Sequence, residues 1–135
     1  MAIHNHPKPS QYWNPDTVLE AVKGRTPLMG ACADTGHWLR SGLDPVECLK
    51  KLDGRVICLH FKDLVIEDPK TQNAAPAAGK KKSAAMAMHD VPWGIGVGDV
   101  KAQMAELKRQ HFHGAFCVEG GSDGSSSGET LRRMK

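Results

Sequence analysis

The chain has 135 residues, of which 40% are hydrophobic and 24% are charged, and its formal net charge is +3. This length suits one modest domain with a core. The mild charge argues against a nucleic-acid partner, which usually requires a stronger basic patch. No apolar run approaches the roughly 20 residues that cross a bilayer, and no signal-peptide pattern is present. Four cysteines without paired or zinc-finger spacing predict reduced thiols and a cytoplasmic setting.

The first predicted elements are a short strand and the helix that follows it. The strand covers residues 2–6, where His4 and His6 share one face because side chains alternate along a strand. The helix is predicted to begin after Asn14, a good capping residue. Pro15 follows in the first helical turn, where its missing amide hydrogen is not needed.

A second strand is predicted at residues 28–33, and it delivers Asp34 to its end. The residues around Trp38 are predicted to form a loop. The next helix is expected to start at Asp44 and Pro45, which repeat the combination of a capping residue and a proline.

The second half of the chain contains two more predicted strands, a long insert and a helix. The third strand is expected at residues 56–61. Residues 67–88 are rich in Ala, Pro, Lys and Met and are predicted to be a flexible insert. Hydrophobic spacing predicts a helix over 99–110, and a fourth strand follows at 114–119. Residues 120–135 have the Gly/Ser-rich composition of a flexible tail.

Strands and helices alternate along residues 1–119, and this order is typical of parallel strands joined by crossover helices. The strands lack a regular polar–apolar alternation, which predicts a sheet covered on both faces. Ligands in such folds bind at the carboxyl ends of the strands. The side chains at these ends are therefore the candidates for a functional site.

Each predicted strand ends in a side chain that can bind a metal ion. The candidates are His4 or His6, Asp34, His60 and Glu119. In the last three strands a cysteine stands two residues earlier on the same face and is expected to pack below the rim. A single acid at such a position can also simply cap the next helix, but the recurrence favours a site. Two carboxylates and one or two imidazoles suit Mn, Co, Zn or Mg, which would polarise a carbonyl and favour an enediolate.

Five segments of the chain, taken in order, resemble one known family. They are His4-Asn5-His6-Pro7, Cys32-Ala33-Asp34-Thr35-Gly36-His37-Trp38, Leu59-His60-Phe61-Lys62-Asp63, Pro92-Trp93-Gly94-Ile95-Gly96 and Val118-Glu119. They resemble the C-terminal half of the sugar phosphate isomerase/epimerase family, which has the xylose-isomerase-like TIM barrel. The resemblance covers residues 2–119. It implies an α/β fold that is a partial (β/α)8 barrel, with the last four parallel strands and their crossover helices.

The resemblance implies a metal site at these strand ends. Asp34, His60 and Glu119 would be the ligands of the divalent ion, and His4 could join them. Epimerases of the family usually place a Glu where His4 stands, and that Glu is one of two acid/base groups. Glu119 is then the only carboxylate of the pair that this chain retains.

The resemblance also implies the catalytic and substrate-binding residues. Glu119 would act as the base, and His37 would assist catalysis and contact substrate oxygens. His6, Lys62 and Asp63 would bind substrate at the same mouth. The implied function is metal-dependent isomerisation or epimerisation of a sugar or sugar phosphate, by proton transfer beside a carbonyl through an enediolate.

Four strands alone leave a barrel open, because a whole barrel needs about 250 residues. The two edges of such a sheet could pair with a second copy of the chain or with a missing N-terminal half.

Three alternatives to the isomerase or epimerase hypothesis stay open at this point. The chain could be an inactive half-barrel fragment or an assembly module. It could be a lyase or dehydratase acting on a keto-inositol, which the sequence does not separate from an epimerase. It could also be a hydrolase related to endonuclease IV, although the sequence has little of the basic and aromatic surface that binds nucleic acid. The expected partner is a small sugar, with no nucleic acid and no membrane.

Overall fold

The computed structural model describes residues 1–66, 88–119 and Arg132. Its elements in chain order are β1 (Ala2–His4), α1 (Pro15–Val22), β2 (Gly30–Asp34), α2 (Thr35–Arg40), α3 (Pro45–Lys51), β3 (Val56–Phe61), β4 (Asp63–Ile66), β5 (Met88–Val91), α4 (Val100–Arg109) and β6 (Ala115–Val118). Four strands form one parallel sheet in the order β1-β2-β3-β6. This arrangement confirms the predicted sheet of consecutive parallel strands with crossover helices.

The helices begin where capping residues and prolines predict. Asn14 accepts a hydrogen bond from the Thr17 amide at 3.0 Å, and α1 starts at the following proline. Asp44 accepts one from the Val46 amide at 2.7 Å at the start of α3. In both cases a side-chain oxygen satisfies an amide that has no partner inside the helix.

The structure differs from the sequence predictions in three places. Strand β1 ends at His4, so His6, which was predicted to lie within the strand, follows it. The segment around Trp38 is the helix α2 and not a loop, since the Asp34 side chain caps it. Strands β4 and β5 form an antiparallel pair that was not predicted. Met88 begins β5, and the rest of the predicted insert at 67–88 lies outside the described residues, as does the predicted tail at 120–135 apart from Arg132.

The core lies between the sheet and its helices. The buried residues on one face of β2 and β3 are Ala31, Ala33, Leu59 and Phe61. They pack against buried side chains of the helices and their ends, which are Trp38, Leu49, Leu52, Val18 and Leu107. Side chains alternate along a strand, so the intervening residues of the same strands occupy the opposite face. The face of the sheet that packs against the helices therefore holds the strands in place. The opposite face of the sheet presents the side chains of the candidate site.

No helix in the part of the chain that the structure describes is both long enough and apolar enough to span a membrane.

Candidate active site

Asp34 is the central residue of the cluster at the carboxyl ends of the strands. Its side chain is buried, and its Oδ1 accepts a hydrogen bond from the His37 amide at 2.9 Å, which begins α2. Its Oδ2 lies 3.1 Å from Lys62 Nζ. The same carboxylate thus caps a helix with one oxygen and presents the other to the cluster.

Asn5 holds the backbone of Asp34 in place, a role that the sequence analysis did not assign to it although Asn5 lies in one of the five family-like segments. Its Nδ2 donates to the Asp34 carbonyl at 2.9 Å, and its Oδ1 accepts from the Asp34 amide at 2.7 Å. The side chain is buried, so both hydrogen bonds are shielded from water. Asn5 lies between His4 and His6, and an amide side chain at the alternate position, which strand periodicity turns to the packed face, is the sequence signal that could have identified it.

His4 and His37 face Asp34 from two sides. His4 Nε2 is 3.5 Å and His37 Nδ1 is 3.4 Å from Asp34 Oδ2. For both imidazoles burial lowers the pKa below its ordinary value of 6.5, and this effect outweighs the attraction of Asp34, which raises it. Both rings are therefore neutral at neutral pH. His37 Nδ1 lies 2.8 Å from the Asn5 carbonyl, so in the neutral ring Nδ1 donates there and Nε2 carries the lone pair.

His60, Lys62 and Glu119 complete the cluster from β3 and the end of β6. His60 Nδ1 is 2.9 Å from Glu119 Oε2, and Lys62 Nζ is 3.0 Å from Glu119 Oε1. Burial alone would raise the pKa of Glu119, but its hydrogen bonds to Lys62 and His60 hold it below the ordinary value. Burial would likewise lower the pKa of Lys62, yet Asp34 and Glu119 keep it raised. The resting cluster therefore holds a carboxylate and an ammonium in contact.

Lys62 is positioned by its backbone and by a glycine. Thr35 Oγ1 donates to the Lys62 carbonyl at 3.1 Å and accepts from the Lys62 amide at 3.1 Å. A Cβ atom added to Gly36 would lie only 2.7 Å from Lys62 Cβ, closer than two non-bonded carbon atoms can approach. Any residue larger than glycine at position 36 would therefore collide with the Lys62 side chain. Gly36 lies inside α2 and is required for this close approach.

Two predicted substrate-binding residues remain, His6 and Asp63. His6 lies beside the cluster at the strand ends, and Asp63 does not face it. His6 is exposed, and its ring centroid lies 4.8 Å from that of His4 and 4.9 Å from that of His37. Asp63 is buried, and both its carboxylate oxygens accept backbone amides, including those of Gly94 and Gly98. We therefore assign Asp63 to holding the loop before α4 and leave it out of the proposed substrate contacts.

The cysteines follow the strand pattern only in part. Cys32 is buried, and burial together with a hydrogen bond to Cys58 raises the pKa of the Cys32 thiol to about 12. Cys117 was expected to pack inward, but it is exposed because β6 is an edge strand of the described sheet. All four cysteines are free thiols.

The donor set fits a divalent metal ion. Asp34, His60 and Glu119 can each offer one ligand atom so that the three atoms lie within 4.8 Å of one another. Asp34 Oδ2 and His4 Nε2 are buried, and neither has a hydrogen-bond partner of good geometry among the described residues. Two carboxylates and an imidazole are typical ligands for an ion of intermediate hardness. Such an ion would compete with Lys62 Nζ for the carboxylate oxygens.

The lowered pKa values of His4 and His37 predict a loss of stability in mild acid. A histidine with a lowered folded pKa takes up its proton more readily in the unfolded chain. The free energy of unfolding should therefore be highest above pH 6.5 and should fall as the pH drops through the lower, folded values. Urea denaturation between about pH 7.5 and about pH 5 measures this fall. His37→Gln removes one titrating group and should flatten it; an equally steep fall in that variant would contradict the prediction.

Comparison with known proteins identifies the family of the chain. A family model described as xylose isomerase-like TIM barrel matches residues 1–135. Inosose dehydratase of Mesomycoplasma hyopneumoniae (strain J) is 33% identical over 96 residues, and the match covers 67% of this chain and 30% of that protein.

Solved structures show the same fold at lower identity. A xylose isomerase domain protein from Planctomyces limnophilus has a TM-score of 0.67 at 17% identity, covering 98% of this chain and 42% of that chain. A D-tagatose 3-epimerase-like protein has a TM-score of 0.65 at 21% identity, covering 98% and 45%. The chain thus spans 30% of the curated relative and less than half of these two structures. The match over its full length nevertheless shows that the chain belongs to the xylose isomerase-like TIM barrel family.

Proposed function

We propose that this chain carries the metal site and catalytic base of a sugar or sugar phosphate isomerase or epimerase. The observation that supports this most directly is the convergence of Asp34, His60 and Glu119, three potential ligands from three neighbouring strands. Lys62 adds a cation in contact with both carboxylates. The proposal includes a small sugar as substrate and the cytoplasmic setting expected from four free thiols.

Each residue of the cluster has a role in the proposed reaction. Asp34, His60 and Glu119, with His4 beside them, would hold a divalent ion such as Mn, Mg, Co or Zn, whose chemistry is to polarise the substrate carbonyl. Glu119 would take the proton from the carbon next to the carbonyl. Lys62 would stabilise the negative charge that then develops on the carbonyl oxygen of the enediolate.

His37 would complete the proton transfers. It is neutral, and its Nε2 carries the free lone pair because Nδ1 donates to the Asn5 carbonyl. It can thus exchange a proton with a substrate hydroxyl, while Glu119 returns its proton to the adjacent carbon in an isomerisation. Epimerisation requires delivery to the opposite face of the same carbon, and His4 stands where the family usually has the second carboxylate.

A dehydratase acting on a keto-inositol is the second candidate function. The relative of 33% identity is named inosose dehydratase, which supports this choice. The first step would be the same proton abstraction by Glu119. The enolate would then re-form the carbonyl and a conjugated double bond as the hydroxyl on the next carbon leaves, and that hydroxyl would take up the proton from Glu119 to depart as water. The same cluster serves both reactions, so only the product separates them.

Solvent exchange tests both candidates with the full-length protein. The protein would be loaded with Mn²⁺ and incubated in D₂O with ketohexoses, their phosphates and a keto-inositol, and the products followed by NMR. Exchange of the hydrogen beside the carbonyl in a sugar supports the isomerase or epimerase, and water loss from the keto-inositol supports the dehydratase. Protein treated with a chelator is the control and should show neither reaction.

An absence of exchange on every substrate would contradict both enzymatic proposals and would favour the half-barrel module. The oligomeric state then becomes the relevant measurement. A module of this kind would pair its free sheet edges with a second copy or with a separate N-terminal half. That the four strands are the last four of eight stays a prediction.

A further inference from the structure

A second donor set, which contains sulfur, lies against the proposed carboxylate site. His4, Cys32 and His60 can each offer one ligand atom so that the three atoms lie within 4.8 Å of one another. His4 Nε2 is buried and has no hydrogen-bond partner of good geometry within the described ranges. The rings of His4 and His60 are 4.7 Å apart between centroids. Neither the sequence patterns nor the proposed reaction uses the thiol.

The register of the sheet explains why these three side chains meet. His4 of β1 is paired with Cys32 of β2. Cys32 is in turn paired with Cys58 of β3, and His60 follows two residues later on the same face. The three donors therefore come from three adjacent strands, and their positions are set by backbone pairing and not by a loop.

The chemistry of this set differs from that of the carboxylate site. Thiolate and imidazole are preferred by softer ions such as Zn²⁺ and Cd²⁺, whereas Mg²⁺ and Mn²⁺ prefer carboxylate oxygens. Three protein ligands with a fourth position open are typical of a zinc site that admits a small molecule. On coordination the Cys32 thiol would lose its proton to solvent as the bond from sulfur to the metal forms.

We infer that His4, Cys32 and His60 form a binding site for one soft divalent cation, with Zn²⁺ as the physiological example. The site shares His60, and the nearby His4, with the proposed carboxylate site. Ions held by the two sets would therefore lie close together, and the repulsion between two such cations disfavours filling both sets at once.

Cadmium titration of the reduced, metal-free full-length protein tests this inference without an activity assay. Bonding of Cd²⁺ to a thiolate produces an ultraviolet charge-transfer absorption. In the unaltered protein this absorption should grow and saturate at one Cd²⁺ per chain. In Cys32→Ser it should be lost. Cys48→Ser is the matched control, since Cys48 is also buried but lies on α3 away from the site, and this variant should behave as the unaltered protein does.

A second variant keeps the test decisive if Cys32→Ser folds poorly by circular dichroism. His60→Gln retains the thiol, so it should keep the absorption but bind Cd²⁺ about tenfold or more weakly. The inference is overturned if the unaltered protein shows no absorption. It is also overturned if a folded Cys32→Ser retains the absorption or if His60→Gln binds Cd²⁺ with unchanged affinity.

Discussion

Glu119→Gln should lower turnover by about 100- to 10,000-fold, the usual contribution of a general base. The change removes the proton acceptor and the negative charge that Lys62 and His60 contact, but it preserves the shape of the side chain. Glu119 is 44% exposed, so the fold should tolerate the amide. The measurement is the rate of exchange of the carbon-bound hydrogen in D₂O, on whichever substrate the panel identifies.

Glu20→Gln is the matched control for this prediction. Glu20 is an exposed residue of α1 whose side chain contacts only the exposed Lys23, at 3.6 Å, among the ion pairs found in the described residues. The Glu20→Gln variant should have the same turnover and the same circular dichroism spectrum as the unaltered protein. If Glu119→Gln exchanged hydrogen as fast as this control, Glu119 would not be the base.

Asp63→Ala is expected to destabilise the fold by about 3 kcal/mol or more. Oδ1 accepts the amides of Leu64 and Gly98, each at 3.0 Å, and Oδ2 accepts those of Gly94 and Gly96, each at 2.9 Å. Removal of the carboxylate leaves these donors without their acceptor, and each buried donor left unsatisfied costs about 1–3 kcal/mol. The free energy of unfolding from urea denaturation measures the loss.

Two further variants test whether the Asp63 carboxylate itself is responsible. Asp63→Asn keeps one acceptor oxygen and should fall between the unaltered protein and Asp63→Ala. Asp16→Ala removes an exposed carboxylate that is paired with Lys51 at 2.8 Å, and it should change the stability by less than about 1 kcal/mol. A loss in Asp63→Ala no larger than in Asp16→Ala would show that the loop does not depend on this residue.

Helices α1 and α3 illustrate what could be predicted from the sequence. Asn14-Pro15 and Asp44-Pro45 are local signals, since the capping oxygen and the proline act on amides within the next few residues. The strands of the parallel sheet could be predicted because they are short apolar runs bounded by turn residues. Their last residues supplied the candidates for the site because parallel strands bring their carboxyl ends to one edge of the sheet.

The elements that were missed depend on partners distant in the chain. Helix α2 contains Gly36, and glycine usually disfavours a helix. Glycine is needed at this position because the side chain of Lys62, 26 positions further along, lies too close to leave room for a Cβ atom. Strand β4 pairs with β5 across a long separation that no local pattern reveals. In the sequence, Asp63 resembles a carboxylate at the end of a strand, as Asp34 is. Its environment is instead set by backbone amides in residues 94–98, which are distant in the chain.

Asp34 performs two tasks with one side chain, and this restricts its freedom of rotation. Because Oδ1 is held by the His37 amide and the backbone on either side is held by Asn5, the torsion angles that aim Oδ2 are already set. If Asp34 is a metal ligand as proposed, a cation at Oδ2 would find this ligand already ordered, so little conformational entropy would be lost on binding. Asp34→Glu, although it preserves the charge, would move both oxygens at once and would lose the helix cap together with the preset ligand.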